Sequence, residues 1–400
     1  MLSAKSAPIV AATLPVVGAH IDQISGVFYD TMLGENPELL NLFSRSAQAT
    51  GEQKSALAGA VALFAAHLVG EAPLPEHVVD RIAQRHCALG IRPEQYAMVG
   101  KYLLGAVGTV LGDAVTPEIA AAWDEVYWLF AVRLIGLESR IYASAGVDGE
   151  HPWRTYTVDN KVTEADDTVS LLLTPADGSP VPHYRPGQYV TVVADLPDGS
   201  RQLRQYSLSQ APNGSTLRIT VRRVRGTGGR PDGVVSGWIH DTVRVGDRLT
   251  VSQAYGDLTL TGAGEHPLLL ISAGVGITPI AAILDEVART QPGRQVTVVH
   301  ADRSPERHPL RAEVATAGAR LRAFEHLSWY EQPTDLPGAA VGRIDPDAIP
   351  LHPGAEVYLC GPVPFMQAVR SALHRRGLPE ERIRYEVFGS EQWRTIPVPA

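Results

Sequence analysis

Proline is spread so unevenly along this chain that it limits what each part can fold into. Residues 1–150 carry 7 prolines, and residues 151–400 carry the other 23 of the 30. A proline inside a helix removes a hydrogen bond and clashes with the preceding turn. The first part is therefore free to be helical, and the second should be rich in strands and turns. Pro37, Pro75, Pro93 and Pro117 each stand where a helix can begin, the position that tolerates the ring. The longest helices are expected after Pro93, to about Leu111, and after Pro117, to about Tyr142. The second carries Trp123, Val126, Tyr127, Phe130 and Leu134 at helical spacing.

The segment Ser144 to Glu150 reads as a linker. Beyond it come short β-branched runs, Thr168 to Leu173, Tyr189 to Val193, Leu217 to Val224 and Arg248 to Val251, with turns at Asp198-Gly199 and Asn213-Gly214. That pattern predicts an antiparallel barrel or sandwich. After about residue 265 it changes to strands at Leu268–Ser272, Gln295–His300 and Val357–Cys360, with a helix from Pro279 to Ala288. This is the signature of an open, mainly parallel α/β sheet. The expected organisation is multidomain: an all-α domain over 1–145, an antiparallel β-barrel domain over 151–262, and an α/β open-sheet nucleotide-binding domain over 265–400.

Composition narrows the partners. A hydrophobic content of 44%, a charged content of 20% and a net charge of -8 describe a soluble globular chain with no affinity for nucleic acid or anionic membranes. Cys87 and Cys360 lie far apart and supply no disulfide framework, which fits a reducing, cytoplasmic setting. Residues 1–20 read as an amphipathic helix rather than a leader. The uncharged run from Pro267 to Leu284 contains Gly274, Gly276, Thr278 and Pro279, so it reads as a strand, a phosphate turn and a helix start rather than an integral membrane segment.

Two motifs carry the chemistry of the second half. Arg204-Gln205-Tyr206-Ser207-Leu208 offers a guanidinium, a phenol and a hydroxyl from one segment, a set that suits a flavin and its phosphates. Gly274-Val275-Gly276-Ile277-Thr278-Pro279 follows a strand and opens a helix, where backbone amides cradle a pyrophosphate. Tyr184 to Tyr189, Gly233 to His240, Tyr358 to Pro362 and Tyr385 to Gly389 add weaker signals in a consistent order. Residues 152–390 resemble the ferredoxin-NADP reductase superfamily. The resemblance implies a six-stranded flavin barrel followed by a nucleotide domain. It implies that Arg204, Gln205, Tyr206 and Ser207 hold FAD, with Tyr189, Gly233, Val234, Val235 and Ser236 around it. Gly274, Val275, Gly276, Ile277, Thr278 and Pro279 would line NADH or NADPH with Cys360, Gly361 and Pro362, and Phe388 would cover the flavin ring. Asp302, after the next strand, suits a ribose hydroxyl, whereas Arg303 and Ser304 suit a 2′-phosphate, which leaves the choice of nucleotide open.

Of His20, His67, His77 and His86 in the helical half, His86 stands out. It ends the helix-like run from Val78, before a break at Gly90, as a residue that ligates haem iron from one side would. Tyr29 and Gln53 are candidates for the opposite side, and Phe43 for packing on the porphyrin. Phe28-Tyr29-Asp30, Asn36 to Leu39, Phe43, Gly51-Glu52-Gln53, Ile82 to His86 and Pro93 to Tyr96 resemble the globin domain of the flavohaemoglobin family. The resemblance implies haem b with His86 as its iron ligand, hydrogen-bonded through Tyr96 and Glu138. It implies Tyr29 and Gln53 as the distal pair, with Leu57 and Phe43 as pocket walls. It further implies a monomeric, cytoplasmic nitric oxide dioxygenase: NAD(P)H reduces FAD, FAD reduces the haem iron, and dioxygen with nitric oxide gives nitrate. Glu386 and Phe388 would sit at the joint, Glu386 in a partly exposed pair with Arg85. The chain departs from the family pattern in Arg85, where Lys is expected, in a longer 226–232 loop and in the 390–400 tail. A gas sensor, and a flavin reductase with a regulatory helical half, are the competing readings.

Overall fold

Two helix starts in the first half fall on prolines, Pro93 and Pro117, while Pro15 lies inside the first helix. The computed structural model describes residues 1–41, 56–74, 76–147, 152–226, 231–262 and 264–388. Among the described residues of its first part six α-helices stand: α1 (Ser6–Ala19), α2 (Ile21–Glu35), α3 (Ala56–Leu68), α4 (Glu76–Leu89), α5 (Pro93–Leu111) and α6 (Pro117–Ser144). Pro93 and Pro117 are the first residues of α5 and α6. Gln95 Oε1 accepts from the Arg92 amide at 2.8 Å, and Thr116 Oγ1 accepts from Ile119 N at 3.4 Å, so both helix starts are capped. Pro37 instead opens a short 3₁₀ turn, Pro37–Asn41, and Pro75 lies outside the described residues.

The helices close on one apolar core. Val10, Leu14 and Val17 of α1, Ile24, Phe28 and Met32 of α2, and Trp123, Tyr127, Phe130 and Leu134 of α6 are all buried in it. Their spacing keeps each set on one helix face. Trp123 keeps its indole N–H satisfied by donating to Thr13 Oγ1 at 3.0 Å. No single described helix is long and apolar enough to cross a membrane.

Residues Trp153–Gly199 and Arg204–Gly389 form a second compact unit, and the chain from Trp153 onward carries two sheets. The first holds β1 (Trp153–Ala165), β2 (Thr168–Pro175), β3 (Tyr189–Asp195), β4 (Arg201–Ser207), β5 (Leu217–Arg222) and β6 (Arg248–Ser252), in the order β4-β3-β6-β1-β2-β5. Its β1–β2, β1–β6, β2–β5 and β3–β6 pairs run antiparallel. The two ends of that order meet: Leu208, just after β4, bridges Ile219 of β5. The sheet is thereby closed into the expected six-stranded barrel. The β5 strand stops at Arg222 rather than Val224. Helix α7 (Val234–Asp241) packs across the barrel with Val235 and Ile239 buried in its core.

The second sheet holds β7 (Leu268–Ala273), β8 (Gln295–Asp302), β9 (Ala323–Tyr330), β10 (Ala339–Val341), β11 (Glu356–Cys360) and β12 (Ile383–Glu386), ordered β10-β9-β8-β7-β11-β12. Every described pair in it is parallel. Its helices are α8 (Ile277–Thr290), α9 (Arg311–Gly318) and α10 (Val363–Arg375). Helix α8 begins two residues before the expected Pro279, because Gly274–Gly276 forms a 3₁₀ turn that runs straight into it. Strand order reverses between β7 and β11, and open α/β sheets bind ligands at the carboxyl ends of strands flanking such a reversal.

Candidate functional site

In the helical unit three residues from three helices converge. His86 sits in the last turn of α4, Tyr96 in the first turn of α5, and Glu138 three-quarters of the way along α6. Gly90 ends α4 with φ 71°, and the Ile91 amide donates back to the His86 carbonyl at 3.0 Å. This closing turn fixes His86 at the helix end. Its Nδ1 lies 2.7 Å from Glu138 Oε1 and 2.9 Å from Tyr96 Oη. The Tyr96 hydroxyl donates to the same carboxylate oxygen at 2.5 Å. Glu138 is 2% exposed, while the His86 side chain keeps 30% of its surface open. Burial, and then the Glu138 charge beside it, drive the Tyr96 phenol far above its ordinary range.

Sequence reasoning missed the supports of this cluster. The Tyr127 hydroxyl donates to the Tyr96 carbonyl at 2.5 Å. A Cβ on Gly100, one turn after Tyr96, would lie 2.5 Å from the Tyr127 ring. Gly100 must therefore stay glycine for α5 and α6 to approach this closely. Tyr142 Oη donates to the Ile91 carbonyl at 3.1 Å, bracing the chain just beyond Gly90. A hydrophobic tyrosine spacing on α6 was visible, but its polar tips had no sequence signature.

Tyr29 stands on α2, edge-on to Phe28 with ring centroids 4.7 Å apart. Burial pushes its phenol up to about 12, so at neutral pH it is a hydrogen-bond donor. Leu57 packs against the helical core from the start of α3. Phe43 and Gln53 lie outside the described residues.

In the second unit, β4 ends in the Arg204–Ser207 segment. Ser207 is 5% exposed, and its Oγ has no hydrogen-bond partner among the described residues. A buried hydroxyl left in that state marks a place for a ligand. Tyr206 packs on the barrel core, and burial raises its phenol above the ordinary value. Gln205 is exposed. Tyr189 is buried, within 3.0 Å of where a Cβ on Gly256 would stand. Gly233 caps α7, and a Cβ there would sit 2.7 Å from both Ser236 Oγ and Val224. Ser236 Oγ donates to the Gly233 carbonyl at 2.9 Å and accepts from Val224 N at 3.1 Å. Its hydroxyl thus braces the turn, and the Val234 and Val235 amides of the first helical turn are what the helix presents. Val234 itself is exposed.

The two nucleotide motifs are brought side by side. Cβ atoms on Gly276 and Gly361 would lie 2.3 Å from the Cys360 carbonyl oxygen and 2.9 Å from Phe365, so both turns fit only as glycine. Val275 accepts the Thr278 hydroxyl at 3.0 Å, and Ile277, Thr278 and Pro279 are buried under the turn. Pro362 caps α10. Phe388 is 46% exposed; Glu386 is 4% exposed, in the strand beside Cys360, where a partly exposed position was expected. Asp302 also departs from expectation. Its carboxylate accepts from Arg222 Nη2 and from the Arg303 amide, each at 2.8 Å, and its side chain is 3% exposed.

Comparison with known proteins agrees with this architecture. Residues 26–133 match the globin family model, and residues 270–371 match the oxidoreductase NAD-binding domain. The flavohemoprotein of Bordetella pertussis is 42% identical, over 98% of this chain and 99% of that protein. That of Bacillus subtilis is 37% identical over 98% of each. Among solved structures, a flavohemoglobin from Malassezia yamatoensis with bound FAD and heme superposes with a TM-score of 0.87 at 36% identity, over 97% of this chain and 100% of that one. The FAD/NAD-binding domain of a nitric oxide dioxygenase from Vibrio cholerae superposes with a TM-score of 0.55 at 39% identity, over 59% of this chain and 98% of that one. With its helical unit, closed barrel and parallel nucleotide sheet in this order, the chain belongs to the flavohemoprotein family.

Proposed function

We propose that this chain is a nitric oxide dioxygenase that carries haem b and FAD and is reduced by NADH or NADPH. The observation that carries the reading is the His86–Glu138–Tyr96 cluster. When bound, the haem iron supplies oxygen binding, and FAD with the nicotinamide nucleotide supplies the reducing electrons.

His86 fits an iron ligand. A carboxylate on Nδ1 holds the proton there and leaves the Nε2 lone pair for a metal. Glu138 and Tyr96 then orient the ring, and the buried carboxylate strengthens it as a donor. That favours activation of a bound ligand over its simple storage. Tyr29, held protonated, is the proposed donor to that ligand and Leu57 an apolar wall; the distal role of Gln53 and the wall role of Phe43 rest on the family resemblance alone, since both lie outside the described residues.

The second unit fits a flavin and a dinucleotide. Arg204 pairs with a flavin phosphate, Ser207 Oγ completes its hydrogen bonding on the cofactor, and Tyr189 and Tyr206 pack on it. The amides of the α7 start face the diphosphate. The glycine turns at Gly274–Gly276 and Cys360–Pro362 admit the nicotinamide nucleotide, and Phe388 covers the flavin ring.

The test is an absorption spectrum followed by gas consumption. The purified protein should show a Soret band and flavin absorbance together, and with NAD(P)H in air it should remove nitric oxide and form nitrate. Flavin absorbance without a Soret band would leave only a flavin reductase. Both pigments with no nitrate would overturn the dioxygenase reading.

A further inference from the structure

Doubly wound folds tell their nucleotides apart at the end of the second strand. An acidic side chain there bonds the ribose 2′-hydroxyl of NADH and repels a 2′-phosphate, while an arginine accepts that phosphate. In this chain β8 is that strand, paired alongside β7 so that Ala301 is level with Ala273 just before the glycine turn. Both residue types follow at once, Asp302 and then Arg303.

The structure separates them. Asp302 is engaged on every side: by Arg222 Nη2 at 2.8 Å, by the Arg303 amide at 2.8 Å, and by His300 Nε2 at 3.6 Å. Arg222 comes from the barrel strand β5, and it also bonds the Arg307 carbonyl and pairs with Asp167 at 3.2 Å. Burial alone would raise the Asp302 carboxyl, but His300 and Arg222 outweigh it and hold the group below its usual range. A carboxylate held in this way has no free edge for a ribose, and its charge is already neutralised. Ser304 is buried. Arg303 is different. It is exposed, and its guanidinium has no ion-pair or hydrogen-bond partner among the described residues.

We infer that this chain draws its hydride from the 2′-phosphorylated nucleotide, NADPH, in preference to NADH, and that Arg303 is the residue that reads the 2′-phosphate. The inference rests on the reductase reading above and names its substrate. Asp302 serves instead as a strut between the barrel and the nucleotide sheet, and neutralising it removes the repulsion that would otherwise exclude the phosphate. Arg222 lies close to the pyrophosphate turn, with Nη1 2.8 Å from where a Cβ on Gly274 would stand. The same arginine therefore silences the acid and borders the nucleotide.

The test separates binding from turnover. Calorimetry on the full-length protein with adenosine 2′,5′-bisphosphate and with AMP should show the bisphosphate binding about 10–100-fold tighter, the size of one charge-assisted hydrogen bond. Arg303→Ala should erase that difference, and Arg303→Glu should reverse it. Asp302→Asn should leave the ratio between the two ligands within about threefold, because the carboxylate is not what reads them. In turnover, the ratio of kcat/KM for NADPH over NADH should exceed one and fall with Arg303→Glu. Equal binding of the two adenosine ligands by the wild type, or a preference that survives Arg303→Ala, overturns the inference. So does a ratio that jumps in Asp302→Asn. If neither NADPH nor NADH bleaches the flavin, the reductase reading fails, and the two adenosine ligands still decide Arg303.

Discussion

The two units of this protein treat histidine in opposite ways. In the helical unit His86 hydrogen-bonds a carboxylate and keeps part of its ring open. In the nucleotide sheet, His300 and His308 stack at 3.9 Å with 0% and 3% exposure. Their Nδ1 atoms contact only hydroxyls, Ser272 Oγ and Tyr330 Oη, each at 2.8 Å. Their Nε2 atoms have no hydrogen-bond partner among the described residues, that of His300 lying 3.6 Å from Asp302 Oδ2. A carboxylate behind an open imidazole makes a stronger donor toward a metal. Burial disfavours the charged form of such a closed pair of imidazoles and keeps it from a metal. The residue type is the same, and its surroundings decide whether it does chemistry or fills space.

The largest effect should come from breaking the first of these arrangements. His86→Ala removes the proposed iron ligand, so the purified variant should lose most of its haem. Its flavin content and nucleotide-dependent ferricyanide reduction should persist, because the second unit has its own core. A normal Soret band with an unaltered ferrous spectrum would reject the assignment. Glu138→Gln is the graded version. Removing the partner of a ligating histidine typically costs about 10–100-fold in metal affinity or activity. Haem retention in that variant should fall between wild type and His86→Ala.

Much of this was legible in the residues. The helix starts at Pro93 and Pro117, the break at Gly90 and both glycine turns were readable because proline and glycine act locally, through φ and the missing Cβ. The strand order, and the closure of the barrel by Leu208 against Ile219, were not, because register is set by partners distant in the chain. The site divides in the same way. His86 was visible from its helix end, whereas Tyr127 beneath Tyr96 and Arg222 on Asp302 come from elements far away in sequence. The choice between Asp302 and Arg303 stays open in the sequence for this reason: the barrel arginine that occupies Asp302 cannot be seen from β8.

Acid should separate the two units next. Burial, the largest cause in each case, lowers His300, His308 and His326, the last to about 4. The groups facing them are Asp302, Arg222, Arg311, Tyr330 and Ser272. An imidazole lowered in the native state takes its proton first in the unfolded chain. Stability is therefore complete above about pH 6.5 and is lost as pH falls toward 4. For His326 alone the loss is at most about 3 kcal/mol. The urea midpoint reported by flavin release should fall between pH 7 and pH 5, and His326→Gln should flatten that dependence. A flavin-reported midpoint independent of pH would show that the stacked cluster is not the acid-sensitive element.

The smallest expected effect concerns a lysine that holds a helix from behind. Lys161, on β1, gives all three ammonium protons to carbonyls at the end of α7: Ile239 at 2.8 Å, His240 at 2.9 Å and Val243 at 2.8 Å. Those oxygens belong to the turn that a helix leaves unsatisfied, where its dipole is negative. The opposite end of α7 begins at Gly233 and is the proposed seat of the flavin diphosphate. A cation at a helix end contributes about 0.3–1 kcal/mol, so Lys161→Met should raise the FAD dissociation constant about two- to fivefold. Lys161→Arg keeps the charge but cannot converge on three carbonyls from one nitrogen, and it should recover only part of the loss. What separates positioning from plain stability is where the loss appears. If Lys161 sets the angle at which α7 meets the diphosphate, flavin affinity and the visible dichroism of the bound flavin change together while the flavin-free protein melts nearly as wild type. A fall in the melting point of the flavin-free protein with unchanged flavin affinity would reduce Lys161 to an ordinary helix cap.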